Sequence, residues 1–151
     1  MSKSYIDSAY YNIRLTSRFI KAFIAQELKK LNVNITTDEV FALDILKKKG
    51  AMSQRDLAKI LFRDRANTGK IAMGLKEKGL IEINAEQKNN RLIKQLSLSK
   101  KGAEFLNEVI EKSKPVFDKI SQQFTPQEEE LLRTVLNKLR TSLGSIIDSQ
   151  I

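Results

Sequence analysis

A mainly α fold carrying a small β-hairpin is what this sequence predicts, on three observations. Apolar residues recur at helical spacing over most of the 151 residues. Between Ser53 and Lys78, two short amphipathic helices are separated only by Phe62-Arg63-Asp64. After Gly79 the apolar spacing turns from helical to alternating, at Leu80, Ile83, Leu96 and Leu98, so two short strands enclose a polar loop of Lys88, Asn89, Asn90 and Arg91. Helix, turn, helix and a basic-tipped hairpin make a winged helix-turn-helix, about residues 36–98, inside one domain spanning 1–151. Long helices at about 5–31 and 99–149 flank it.

The first segment, Tyr5 to Leu31, sets Ile6, Ala9, Ile13, Ile20, Ile24, Leu28 and Leu31 on one stripe, widened by Leu15, Phe19, Ala22 and Phe23. So wide an apolar surface needs more than one packing partner. Thr36-Thr37-Asp38-Glu39 fits a capping box, in which Thr36 accepts from the Glu39 amide and the Glu39 side chain reaches back. The helix it starts runs through Val40, Leu43 and Leu46 to a left-handed stop at Gly50, after the dipole-compatible Lys47-Lys48-Lys49. Ser53 then caps the first helix of the motif, with Leu57, Ala58, Ile60 and Leu61 facing inward.

The next helix, about Asp64 to Lys78, turns Thr68, Ile71, Ala72 and Leu75 to the core and presents Arg65, Ala66, Asn67, Gly69, Lys70 and Met73 on its other face. In a helix-turn-helix, the residues near the N-terminal end are those brought to base edges. Arg65 offers a two-pronged donor to guanine and Asn67 a donor and an acceptor to adenine. Two plainer roles stand beside these: Asn67 as a cap and Arg65 as a phosphate contact. Gly69 and Gly74 inside this helix imply close approach, either of phosphate or of a neighbouring helix.

Ser99 caps a further helix through Ala103, Leu106, Val109 and Ile110, which continues past Pro115 to Phe124 with a kink or break near Lys112 to Lys114. Thr125-Pro126-Gln127-Glu128 opens the last helix, whose stripe is Leu132, Val135, Leu136, Leu139, Leu143, Ile146 and Ile147. Terminal helices this rich in leucine and isoleucine leave an apolar patch in water unless a second copy covers it.

Composition narrows the chemistry. With no cysteine there is neither a disulfide framework nor a thiol sensor, and with no histidine the commonest metal ligand and general base are missing. No nucleophile–base pair, metal cluster or phosphate-binding glycine loop stands out, so no catalytic residue, metal or cofactor is expected. No signal peptide or membrane span is visible, and a cytoplasmic location is expected. The net charge of +9 is concentrated: from Arg63 to Lys101, ten Lys and Arg face four Asp and Glu, which places +6 in about a quarter of the chain. A solvated basic face is the plain reading; clustering on one helix and one loop favours a polyanion, double-stranded DNA.

LFRDRANTGKIAMGLKEKGLIE (residues 61–82), then a basic hairpin and LSLSKKG (residues 96–102), resembles the MarR family of bacterial transcription regulators. The resemblance rests on a leucine-rich third helix, the entry Asp64-Arg65-Ala66-Asn67, the exit Leu75 to Leu80, and Leu98-Ser99-Lys100-Lys101-Gly102 after the wing. It implies a homodimer held by the N-terminal and last two helices, a wing arginine in the minor groove, and a small-molecule effector, often an anionic aromatic compound, bound where dimer helices meet the winged core. Tyr10, Tyr11, Phe19 and Met52 are residues that such a pocket, or simply the core, would use. The family's wing bears Asp-x-Arg; here the nearest match is Asn89-Asn90-Arg91, so a neutral Asn89 would orient Arg91 by a hydrogen bond.

The expected function is that of a homodimeric, sequence-specific regulator, a repressor acting on an inverted repeat. Its DNA-binding residues would be Arg63, Arg65, Ala66, Asn67, Lys70, Lys88, Asn89, Asn90, Arg91 and Lys94. Rival readings are a nucleoid-type protein that binds DNA without strong preference, and a winged-helix module that binds protein.

Overall fold

The structure, a computed structural model, describes residues 4–147. A single helical turn, Tyr5–Asp7, precedes α1 (Ala9–Lys30), α2 (Thr37–Lys49), β1 (Met52–Ser53), α3 (Gln54–Leu61), α4 (Arg65–Glu77), β2 (Ile81–Lys88), β3 (Arg91–Leu98), α5 (Lys100–Ser121) and α6 (Pro126–Gly144). No helix among the described residues is long and apolar enough to cross a membrane.

Helix starts fall where the sequence places them, because each has an oxygen to satisfy a free N–H. Thr36 and Glu39 form the full capping box of α2, and Thr125 and Glu128 that of α6. Ser53 accepts from the Asp56 N–H at 3.1 Å and Ser99 from the Gly102 N–H at 2.9 Å. The first segment is not one helix: Ser8 accepts from the Tyr11 N–H at 3.2 Å and so starts α1 at Ala9. At Gly50, φ is +84° and ψ is −173°, an extended positive-φ conformation that stops α2 and that side chains resist.

The core lies between α2, α3, α4, the sheet and the first half of α5. Leu43, Leu57, Leu75, Leu96 and Leu106 are fully buried there, with Leu28 from α1 closing one side. The prediction for α3 is half met: Leu57 and Ala58 are buried and Leu61 partly so, but Ile60 is 44% exposed, since two adjacent buried positions already fill the inward side of so short a helix.

Three strands form the sheet, not two. They run in the order β1-β3-β2, with Met52 opposite Leu96 and Ser53 opposite Gln95, so β1 ties the start of α3 to the wing. β2 and β3 pair antiparallel from Ile81↔Leu98 to Lys88↔Arg91, joined by the two-residue turn Asn89-Asn90. Both turn residues have positive φ, 52° and 58°, the tight primed turn that matches strand twist.

Pro115 breaks nothing: α5 runs unbroken through it and ends at Ser121, not Phe124. Proline and the residues before it at Glu111 and Lys112 are exposed, so water can satisfy the carbonyl that proline leaves without a donor. α6 stops at Gly144, short of Ile146 and Ile147; residues 148 and 149 of the expected segment lie outside the described residues.

A tie between α2 and α4 holds the motif to its support. Glu39, 5% exposed, gives one carboxylate oxygen both to its own cap and, at 2.6 Å, to the Lys78 ammonium at the end of α4. Gly74 faces this carboxylate so closely that a methyl group there would overlap Glu39 Oε1. Glu39→Ala removes a cap bond and a half-buried ion pair together, and should lower stability by about 2 kcal/mol in urea unfolding. A change under about 0.5 kcal/mol, the range of ordinary surface substitutions, would contradict that role.

Candidate nucleic-acid interface

The turn between α3 and α4 is built by three residues in sequence. Phe62 takes the left-handed conformation (φ 51°, ψ 49°), and its N–H and that of Arg63 bond back to Lys59 and Ala58 carbonyls at 3.2 and 3.0 Å. This closes α3 and reverses the chain. Asp64 then starts α4: its Oδ1 accepts from the Asn67 main-chain N–H at 2.7 Å and its Oδ2 from Asn67 Nδ2 at 2.7 Å.

The core face of α4 is as the periodicity requires, with Thr68, Ile71, Ala72 and Leu75 all buried. Thr68, fully buried, donates its hydroxyl to the Asp64 carbonyl at 2.8 Å, so a polar residue sits in the core without loss. Arg65, Ala66, Asn67, Lys70 and Met73 are exposed on the other side. Lys88, Asn89, Asn90, Arg91 and Lys94 are exposed on the wing.

The Asp64 carboxyl is held below its usual value of 3.8, chiefly by the Asn67 main-chain N–H, against a smaller desolvation effect and with help from the Asn67 amide and Arg63. A group whose pKa is lower folded than unfolded adds stability above its unfolded value and loses it as pH falls through the folded one. In an acid titration by circular dichroism from about pH 5 downward, Asp64→Ala should therefore show a shallower loss of stability than the native protein below about pH 4. Equal slopes would contradict this.

Among the described residues Arg65, Lys70, Lys88, Arg91 and Lys94 form no ion pair. Arg63 differs: its guanidinium lies 3.0 Å from Asp38 at the start of α2, so this predicted contact residue is already paired. The hydrogen bond expected from Asn89 to Arg91 is not formed among the described residues; both asparagines are spent on the turn, whose left-handed φ values asparagine tolerates. Lys88 and Arg91 face each other directly across the tip, a like-charge pairing that costs stability in isolation and that a polyanion relieves.

Two residues escaped the sequence reading. A groove of about 690 Å³ between the start of α3 and the wing is lined by Arg55, Lys59, Lys88, Arg91 and Lys94 with Asp56 the only acid. Gln95 also lines it, and its side-chain oxygen is buried without a partner among the described residues. Arg55 and Lys59, four apart, are marked as outward by the helical period. Only the pairing of Ser53 with Gln95, which no local signal reveals, puts them beside the wing.

Two further cavities lie against α1. An open groove of about 670 Å³ includes Ile20, Lys21, Leu28, Phe41 and, at one end, Asp38 and Arg63. A more apolar one of about 490 Å³ lies between α1, α2 and α5, lined by Ile24, Leu28, Val40, Phe41, Leu106, Val109 and Phe117. Tyr10, Tyr11, Phe19 and Met52 line neither. Tyr10 and Phe19 are 62% and 70% exposed, and Met52 is held in β1.

Residues 35–93 match the model of the MarR family, whereas no curated protein matches the sequence. Among solved structures, BpsR of Bordetella bronchiseptica, whose DNA binding is regulated by 6-hydroxynicotinic acid, has a TM-score of 0.78 at 17% identity over 92% of this chain and 97% of that one. MepR of S. aureus in complex with DNA has a TM-score of 0.75 at 22% identity, over 93% and 99%. An organohalide-sensing transcriptional regulator with 2,4-dichlorophenol bound reaches 0.77 at 20% identity, over 99% and 91%. These structures share the fold along nearly the whole chain. The matched segment takes in the capping box of α2, both helices of the helix-turn-helix and the wing as far as Ile93, and it is over these residues that the chain is similar to the MarR family.

Proposed function

We propose that the protein is a homodimeric transcription regulator that binds an inverted repeat in double-stranded DNA, with α4 in the major groove and the wing tip in the adjacent minor groove. The observation that carries this reading is that Arg65 and Lys70 on α4 and Lys88, Arg91 and Lys94 on the wing are all exposed and have no acidic partner among the described residues. Arg65 and Asn67 are the side chains for base edges; Lys70, Lys94, Arg55 and Lys59 are for phosphates, and Arg63 joins them by leaving Asp38. Ala66 permits close approach, and Asn89 and Asn90 shape the tip that carries Lys88 and Arg91.

The dimer follows from what α1 and α6 leave uncovered. No residue of α6 is buried, although Leu131, Leu132, Val135 and Leu143 are all on it. Tyr10, Ile13, Phe19 and Ile20 of α1 are in the same position. Patches of this extent mark an interface. A two-fold dimer then calls for half-sites about 34 Å apart.

Selection of bound duplexes from a random-sequence pool tests the reading. Enrichment of an inverted repeat with half-sites one turn apart is the expected result; a pool that stays random after several rounds would sink it and favour the nucleoid-type alternative.

The effector is proposed for the 490 Å³ cavity, whose size suits a small aromatic molecule. Its aromatic walls are Phe41 and Phe117; Glu27, Asp44 and Glu111 also line it, and Lys114 is paired with Asp118 at 2.7 Å, so a neutral aromatic molecule fits it better than a carboxylate. Thermal-shift titration with neutral phenols should raise the unfolding temperature more than titration with benzoates, and Phe117→Ala should weaken the response about tenfold, as loss of an aromatic contact to the ligand does. An unchanged response in Phe117→Ala would exclude this cavity.

A further inference from the structure

Asp64 does more than begin α4. One oxygen caps the helix through the Asn67 main-chain N–H, and the other takes a hydrogen bond from the Asn67 side-chain amide, both at 2.7 Å. An ionised carboxylate only accepts, so the atom facing it has to be Nδ2, and the amide is held in one direction. One of its two N–H groups is thereby used. Asn67, fully on the exposed face beside Arg65, is left with one donor and one acceptor.

That count discriminates between purines. In the major groove adenine shows an acceptor and a donor, whereas guanine shows two acceptors. A free amide has two donors and can turn either end outward. The held one matches adenine and fails guanine.

A cap alone does not explain the choice of residue. Every other α-helix start described here is capped by a hydroxyl, from Ser8, Thr36, Ser53, Ser99 and Thr125. Serine caps about as well as aspartate. On the face that the proposed function sets against phosphates, a carboxylate adds repulsion that serine would avoid, so its second oxygen is what distinguishes it.

We propose that Asp64 is a positioning residue for specificity: it orients the Asn67 amide so that α4 selects adenine over guanine at one base pair of each half-site. This rests on the reading that α4 enters the major groove.

The test uses the full-length dimer and the duplex recovered by selection, with each base pair replaced in turn and affinities compared within each variant. The native protein should prefer adenine to guanine by about tenfold or more at one position per half-site, as one good two-point contact gives. Asp64→Ser and Asp64→Asn keep a capping oxygen, so their melting temperatures should stay within about 2 °C of native. Their overall affinity should hold or rise, because an anion has gone, while the preference at that position drops to about threefold or less. Asn67→Ala should erase the preference at the same position, and adding Asp64→Ser to it should change nothing more. If both Asp64 variants keep the preference that Asn67→Ala removes, Asp64 is a cap only and the proposal is wrong. If Asn67→Ala alters base preference nowhere, the reading of Asn67 in the groove fails and the proposal with it.

Discussion

Gly102→Ala should cost about 3 kcal/mol or more and leave little folded protein at 37 °C, although it adds one methyl group. A Cβ at this position would overlap the Leu80 carbonyl oxygen and lie 2.9 Å from its carbon and 3.0 Å from Leu98 Cδ1. The obstacle is backbone, and it is pinned: the Leu80 carbonyl accepts the Ser99 N–H at 3.1 Å, and the Ser99 hydroxyl donates to the Gly79 carbonyl at 2.7 Å while capping α5 through Gly102. Nothing there yields without opening the junction at which the wing returns to the helices. Gly69→Ala is the control, since its Cβ would meet only Gln54 Nε2 at 3.4 Å. It should stabilise the protein by about 0.5–1 kcal/mol through helix propensity. Thermal unfolding of both variants checks the pair, and equal melting temperatures would contradict the account.

Leu132→Glu combined with Val135→Glu should yield a monomer that binds the inverted repeat about 100-fold or more weakly. Both residues are more than half exposed in the single chain and neither belongs to its core, so the helical signal should persist. What is lost is the second recognition helix on the same duplex, and linked sites are worth about 10²–10⁴ in apparent affinity. Sedimentation velocity reads the mass and anisotropy the binding. A variant that remains dimeric with native affinity would show that α6 serves some other purpose.

What the sequence revealed, and what it concealed, divides by distance along the chain. The caps at Thr36, Ser53, Ser99 and Thr125 and the inward face of α4 depend on residues three or four apart, and all were legible. The third strand was not, because two residues have no period and Met52 finds Leu96 only through the fold. The partnership of Glu39 with Lys78 spans 39 positions, and its need for space explains Gly74, which the sequence left undecided between a phosphate and a neighbouring helix. The same holds for the interface. The exposed cations of α4 and the wing follow from periodicity, but Arg63 was nominated without its Asp38, and Arg55 and Lys59 were overlooked because the groove they share with the wing is a tertiary feature. Asn67 was read as either a base contact or a cap; in the structure Asp64 caps it in turn and leaves half of its amide outward.

Fluorescence anisotropy with a duplex from the gene's own upstream region and a shuffled duplex of equal length, across a salt series, tests the central claim most directly. The account predicts a preference of about a thousandfold or more for the native duplex near physiological salt, and affinity for both that falls steeply as salt rises and counterions are released. Equal affinity for the two at every salt concentration, or no binding to either at low salt, would contradict it.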